Sequence, residues 1–514
     1  MAKHTEKIRL NVTSHSVRAS QAVLQYGVGA MVDFPSQTLM TAAPEYWNDQ
    51  IVRIHDERLE KSLGVRYFGM PAGGKNRDGI AYARFPEWYF CPKCRFQPLS
   101  QWIAEFNKGA KEKEKTANRN MSRRLYCPKD HVELVVARIV TACAHGHIND
   151  FPWVKWVHAK NFGGAKDICG NPKLTFTTSP MASEGLEGLS IKCTTCNASA
   201  TLKDAFNEGE FARLDDKFGG KYDFPCDGGH PWKNEKEGCG IYPKVLQRGS
   251  SSVYFPVTAS SLVIPPFSDI INSRIEDSSL YEEFRTKIEA FMEMKKAMGL
   301  PEEQVDNYIQ GKLDEYAKKI GDNIGCRAEQ VREILSRRMS EHEELNYDTG
   351  SIEYRSAEFD ALSGRASVTG TQYDDFKRVG TDIKKYDIPF VKSISLIEKI
   401  REVQVMLGFS RITPFPASLI SGASYVNIKK KDDDWYPGYN VYGEGIFIEF
   451  DEDFINAWRS GNAALERRVN TLQENYDKSF LGSQNPRKIS GKFLLLHTIS
   501  HLLIKQLSFE CGYN

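Results

Sequence analysis

Residues 85–94, Phe85-Pro-Glu-Trp-Tyr-Phe-Cys-Pro-Lys-Cys94, carry an aromatic, strand-like run directly into a Cys-x-x-Cys turn. Zinc takes four soft or borderline ligands in a tetrahedron, and such a turn supplies two thiolates at the right separation from one short loop. A second pair must close the site. Its nearest source is Cys127-Pro-Lys-Asp-His131, so Cys91, Cys94, Cys127 and His131 form the first expected site, with Cys143 an alternative to His131. The second begins at Cys193-Thr-Thr-Cys196 and continues to Cys226 and Cys239, which flank the turn-rich Asp227-Gly-Gly-His-Pro-Trp232. Cys169 and His230 are spare candidates there. Two zinc ions, Zn(2+), are expected, in closed sites that stabilise folding and leave no position open for water. Cys326 and Cys511 lie apart from both sets and read as small buried hydrophobes.

Composition agrees with metal rather than disulfides. The eleven cysteines are an odd number, clustered as Cys-x-x-Cys in a chain whose N-terminus is charged and polar without a secretory h-region. The longest apolar stretch, residues 493–504, is broken by His497, Thr498, Ser500 and His501 and falls short of the roughly 20 residues that span a bilayer. A cytoplasmic protein with reduced thiols and no membrane segment is expected. A net charge of +1 gives no global pull toward nucleic acid, so contact with DNA must rest on local patches.

With 514 residues the chain exceeds what one hydrophobic core can organise. The pattern divides into an N-terminal segment (1–84), a zinc-binding region (85–267), a helical insert (268–345) and a mixed C-terminal domain (346–514). In the insert, Tyr281, Phe284, Ile288 and Phe291 share one helical face. Gly299 and Pro301 stop that helix and start the next, which carries Val305, Tyr308, Ile309 and Tyr316. Further on, residues 396–406 read as a helix and Gly445-Ile-Phe-Ile-Glu-Phe450 as a strand entering a helix near Asp453. Strands and helices do not alternate regularly, so the fold class is α+β, multidomain. The final helix, from His497 to Leu507, is apolar enough to need something to pack on, and the chain is expected to be the leading part of a longer one.

Other motifs look catalytic but are incomplete. His145-Gly-His147-Ile-Asn-Asp150 and His158 are dense in acid–base and metal-binding groups, and a zinc- or His-dependent nuclease is the competing expectation. A phospholipase-D-type nuclease needs His-x-Lys, four intervening residues and Asp. His158-Ala-Lys160 begins that way, but Ala165 holds the required place and Asp167 comes two later. His497 and His501 are spaced like a zinc-protease pair, yet Thr498 replaces the essential Glu. Gly27 and Gly29 shape a turn rather than a phosphate loop, and no Walker A sequence occurs, so nucleotide-driven work is expected of a partner. Residues 107–124, with seven Lys or Arg against two Glu, read as a solvated loop that is a candidate for phosphate contact.

Several blocks, taken in order, resemble the B-subunit family of DISARM anti-phage systems, DrmB. They are Arg18-Ala-Ser-Gln21, Tyr26-Gly-Val-Gly-Ala30, the Cys91 knuckle, Ala142-Cys-Ala-His-Gly-His-Ile-Asn-Asp-Phe-Pro-Trp153, Cys193-x-x-Cys196, His230-Pro-Trp232, Arg248-Gly-Ser-Ser-Ser252 and Ile264-Pro-Pro266. Residues 401–411, Gly443-Glu-Gly-Ile-Phe447 and residues 497–504 continue the resemblance, and only the helical insert has no matching block. It implies a non-catalytic subunit that pairs with a superfamily-2 helicase, DrmA, and helps it engage foreign DNA. The last block resembles the start of a domain that in some DNA-repair helicases continues past Cys511-Gly-Tyr513 into segments this chain does not carry.

Overall fold

The computed structural model describes residues 17–512, apart from residues 35–36, 48–49, 73–78, 109–110, 112–124, 179–187, 341–348, 350, 366–374, 387, 416–424, 431–433 and 485. Most of the basic loop at 107–124 lies outside the described residues. The chain forms two compact units, interleaved in sequence: Met1–Val263, Phe267–Ser356 and Arg401–Tyr442 make the first, and Ile264–Pro266, Ala357–Ile400 and Gly443–Asn514 the second. Helices and mostly antiparallel sheets segregate along the chain, an α+β arrangement.

In the first unit a six-stranded sheet runs Ser199–Thr201, Leu189–Cys193, Leu174–Thr178, Phe96–Pro98, Trp88–Phe90, Val135–Val136. Short strands of β-branched and aromatic residues alternate inward and outward here, and the buried face packs on a cluster that includes Phe96, Phe151, Trp153, Trp156 and Phe211. The rings of Phe96 and Trp153 meet edge to face at 4.8 Å. A three-stranded sheet, Ile148–Asp150, Ile139–Ala142 and Lys244–Gln247, leads the chain from this core toward the larger one around Phe68, Trp232, Val405, Phe409 and Trp435.

The strand Val391–Ser410 corrects the helix expected over 396–406. Apolar residues recur there at spacings that suit a helix, but Ile394, Ile397, Ile400, Val403 and Val405 are β-branched and stiff at χ1. Burial of Ser395, Ile397, Arg401, Val403 and Val405 follows period two, and Phe255–Leu262 pairs antiparallel with residues 402–410. Glycine is required at two nearby points. A Cβ on Gly29, whose φ is +80°, would lie 2.5 Å from the Phe409 ring, and one on Gly27 would lie 2.4 Å from Met406 Sδ. This Gly-x-Gly therefore serves close packing rather than phosphate binding.

The helical insert forms as its sequence indicates. Ser279–Met298 ends at Gly299 in the left-handed region (φ +64°), and Glu302–Ile324 begins after Pro301. Tyr281, Phe284, Leu313, Tyr316, Ile320 and Leu335 form its own core. A buried ion network ties it to the helix Glu57–Leu63: Arg338 lies 3.4 Å from Glu57 and 2.5 Å from Glu276.

In the second unit, Phe376–Thr381 pairs antiparallel with residues 394–400. The strand Trp435–Phe450 ends at Asp451, whose carboxylate caps the helix Glu452–Arg459 through the Phe454 N–H at 2.8 Å. The last helix, Gly491–Cys511, buries only Gly491 among its described residues and leaves Leu502, Ile504 and Phe509 largely exposed.

Candidate metal centres

Among the described residues of the first unit, three groups of four donors converge. Cys91, Cys94, Cys127 and Asp130 form centre 1; Cys143, His147, Cys226 and Cys239 form centre 2; His158, Cys169, Cys193 and Cys196 form centre 3. In each, the four ligand atoms all lie within 4.8 Å of one another. Their spacing tests whether an ion fits. With Zn–S near 2.3 Å and Zn–N near 2.1 Å, the edge of a tetrahedron is about 3.8 Å for S···S and about 3.6 Å for S···N.

Cys94 and Cys127 Sγ are 3.5 Å apart, Cys143 and Cys239 3.9 Å, and Cys169 and Cys193 3.7 Å. Cys143 Sγ to His147 Nδ1 is 3.4 Å, and Cys196 Sγ to His158 Nε2 is 3.3 Å. Asp130 Oδ2 stands 3.3 Å from Cys91 Sγ and 3.4 Å from Cys127 Sγ. These are tetrahedral edges, so the donor sets fit a thiolate-loving ion such as zinc.

Local structure explains each placement. In centre 1 both knuckles are turns in which a backbone N–H points at sulfur: Lys93 N to Cys91 Sγ and Asp130 N to Cys127 Sγ, each 3.4 Å. His131 is exposed, in the left-handed region at φ 54°, and is not among the four; Asp130 stands in its place. The Cys193 pair meets Cys169 because Leu174–Thr178 pairs with Leu189–Cys193, Leu174 opposite Cys193. Cys226 and Cys239 bracket the hairpin Gly229–His230/Glu235–Lys236 and meet Cys143 and His147 instead of the Cys193 pair. Sequence spacing had set Cys193, Cys196, Cys226 and Cys239 together; the structure divides them between two centres.

One segment serves both. Residues 143–147 turn tightly through Gly146 (φ +84°), with Gly146 N–H bonded to Cys143 O at 3.0 Å, and deliver Cys143 and His147 to centre 2. The following helix, Trp153–Ala159, carries His158 to centre 3. His147 and His158 stood out in the sequence as acid–base candidates, and Asp130 did not stand out at all. The Cys143-x-x-x-His147 spacing was the one legible signal. His145 is exposed, with Nδ1 3.5 Å from Cys239 Sγ, outside the group of four. Cys326 is half-buried and Cys511 exposed, contrary to the expectation that both are core.

Two of the cluster thiols, Cys143 and Cys193, are shifted toward the charged form, whereas Cys91, Cys94, Cys169, Cys226 and Cys239 are held toward the neutral thiol. Cys143 is pulled down to about 5, chiefly by its hydrogen bond with Cys226, against the effect of burial. Cys226 is pushed up by the same bond and by burial. At Cys193 burial raises the thiol, but the backbone N–H groups of Cys196, Thr195 and Lys173 outweigh it and leave it lowered.

Asp150, the other acid of this segment, does not reach a centre. Its carboxylate accepts Glu87 N–H at 3.0 Å and Trp88 N–H at 3.3 Å, and burial still pushes it up to about 7. A folded value above the ordinary 3.8 means that folding favours the protonated acid. That contribution is present at low pH and is lost as pH rises through about 7. Asp150→Asn keeps an acceptor for both N–H groups and removes the titration. Its urea midpoint relative to wild type is expected to rise between pH 5 and pH 8; parallel midpoints would exclude Asp150 as the titrating group.

Fold and centres together define an α+β protein with Cys-rich clusters, completed by His or Asp, of metal-ligand geometry. Residues 18–255, which contain all three clusters, match the family model described as Domain of unknown function (DUF8724). Along nearly its whole length the chain is similar to the DISARM protein DrmB of Bacillus paralicheniformis, at 27% identity over 510 residues, covering 94% of this chain and 79% of that protein. The similarity makes the chain DrmB-like along nearly its whole length. Among the described residues, no helix is long and apolar enough to cross a membrane.

Proposed function

We propose that this chain is a non-catalytic, zinc-stapled subunit of an anti-phage defence complex, which partners a superfamily-2 helicase in the cytoplasm and helps it bind foreign DNA. One observation carries the non-catalytic part: four protein donors converge at each of three points, so a tetrahedral ion there is saturated and presents no site for an activated water. Zinc bound there supplies folding free energy and draws together strands too short to be stable alone.

The residues a nuclease would need have other partners. His147 and His158 belong to different centres, and Asp150 accepts two backbone N–H groups. Lys160 is paired with Asp204 and Glu210, each at 3.0 Å, and Asp167 with Lys221. The helicase and DNA roles are what the resemblance to the DrmB family implies.

Purified full-length chain is expected to hold about three zinc ions by elemental analysis, to capture a superfamily-2 helicase, and to leave DNA intact when incubated alone with Mg²⁺ or Mn²⁺. Cleavage that His147→Ala abolishes would replace this function with a nuclease. Capture of DNA without any helicase would point to a free-standing binding module.

A further inference from the structure

His147 has a second partner. Its Nε2 lies 2.6 Å from Glu237 Oε1, while its Nδ1 faces Cys143 Sγ in centre 2. His230 Nε2 stands 3.3 Å from the same carboxylate oxygen, with its ring edge-to-face on His147 at 4.7 Å. His147, His230 and Glu237 thus resemble a further three-donor metal site. The distance decides against it. Two donors on one zinc, each about 2.1 Å away, are about 3.4 Å apart at the tetrahedral angle and about 3.0 Å at a right angle. A separation of 2.6 Å leaves no room for a shared ion and is a short N–H···O hydrogen bond to a carboxylate.

We propose that Glu237 is the positioning residue of centre 2: its carboxylate holds His147 in the Nε2–H tautomer, so that the Nδ1 lone pair faces the metal, and His230 keeps the carboxylate in place. This rests on the assignment of Cys143, His147, Cys226 and Cys239 as metal ligands. A metal-ligating imidazole is oriented by what its other nitrogen donates to. Centre 3 makes the contrast. There His158 binds through Nε2 because Nδ1 donates to Val154 O at 2.7 Å, inside its own helix and buried. Centre 2 relies on a side chain that is 60% exposed.

The hairpin is built to deliver that side chain. Glu237 N–H bonds to Gly228 O at 3.0 Å, and a Cβ on Gly228 (φ +64°) would lie 1.6 Å from Glu237 O. Gly228 N–H also points at Cys226 Sγ at 3.4 Å, and Asn149 Nδ2 at 3.6 Å. Cys239 follows two residues after Glu237, so one strand exit supplies both a ligand and its neighbour's orienting group. The grip of centre 2 is therefore set from the surface.

The test loads full-length chain with zinc and follows its release to a colorimetric chelator. Glu237→Ala is expected to release one of the three equivalents 10- to 100-fold faster, the range typical of outer-shell changes, with the other two unaffected. Glu237→Gln, whose amide oxygen still accepts from Nε2–H, is expected to stay near the wild-type rate, and His230→Ala to fall between. Wild-type release rates in Glu237→Ala, or Glu237→Gln as fast as Glu237→Ala, would overturn the positioning role while leaving three metal centres standing. Faster release of all three equivalents would likewise overturn it, as general loosening. A wild-type chain that never takes up a third equivalent is a distinct failure, that of the centre itself.

Discussion

Cys193→Ser is expected to lower bound zinc by one ion per chain and to unfold the region around centre 3. Cys193 is fully buried at the end of Leu189–Cys193, inside the cluster with Phe96, Trp153, Trp156 and Ile191. Its loss leaves His158, Cys169 and Cys196 without a fourth ligand and puts a hydroxyl among apolar rings. Structural zinc contributes on the order of 10 kcal/mol in small modules, more than the whole stability of many domains. Trypsin digestion read by mass spectrometry locates the damage, and elemental analysis counts the metal. Cys326→Ser, in the helical insert away from every centre, is the control and is expected to change stability by about 1 kcal/mol or less. Full metal content and an unchanged digestion pattern in Cys193→Ser would show that centre 3 holds nothing.

The second large effect is expected at Arg411. Its guanidinium is buried and donates to three backbone carbonyls: Gly29 O at 3.0 Å, Gly146 O at 2.8 Å and Val253 O at 2.5 Å. It lies over the rings of Phe409 and Trp232, at 4.6 and 5.3 Å. Burial pulls it down to about 9, so it remains charged at neutral pH. One side chain therefore joins the Gly27–Gly29 turn, the centre 2 loop and the end of the long strand. Arg411→Met keeps the volume but orphans three buried carbonyls, at about 1–3 kcal/mol each, and a loss of roughly 3–5 kcal/mol is expected. Arg411→Lys is expected to rescue little, since an ammonium lacks the planar fork that spans three acceptors. Equilibrium denaturation measures the loss. Because Gly146 lies between Cys143 and His147, zinc release from centre 2 should accelerate in the same variant. A shift below about 1 kcal/mol in Arg411→Met would mean that the carbonyls find other donors.

Helix punctuation in the insert was legible because glycine at positive φ and proline at a helix start act within a few residues. The knuckle turns were legible for the same reason, since two cysteines three apart share one loop whatever surrounds them. The partition of ligands was not. Which pairs share an ion depends on strand pairing between Leu174–Thr178 and Leu189–Cys193, and on a hairpin that carries Cys226 and Cys239 away from the Cys193 pair. Asp130 against His131 turns on the backbone conformation of a single residue.

Residues 396–406 failed as a helix because period 3.6 and period 2 overlap in a short apolar run, and only the neighbouring strand Phe255–Leu262 settles between them. By itself the sequence determined the donor chemistry, the clustered Cys-x-x-Cys usage, the helices of the insert and the resemblance to DrmB. Tertiary structure alone decided how many clusters the donors form, which histidines join them, and that Glu237 and Arg411 each bond to the centre 2 loop. Ligand type is written in side-chain chemistry, whereas ligand grouping is a long-range contact, and contacts between distant residues are fixed by packing.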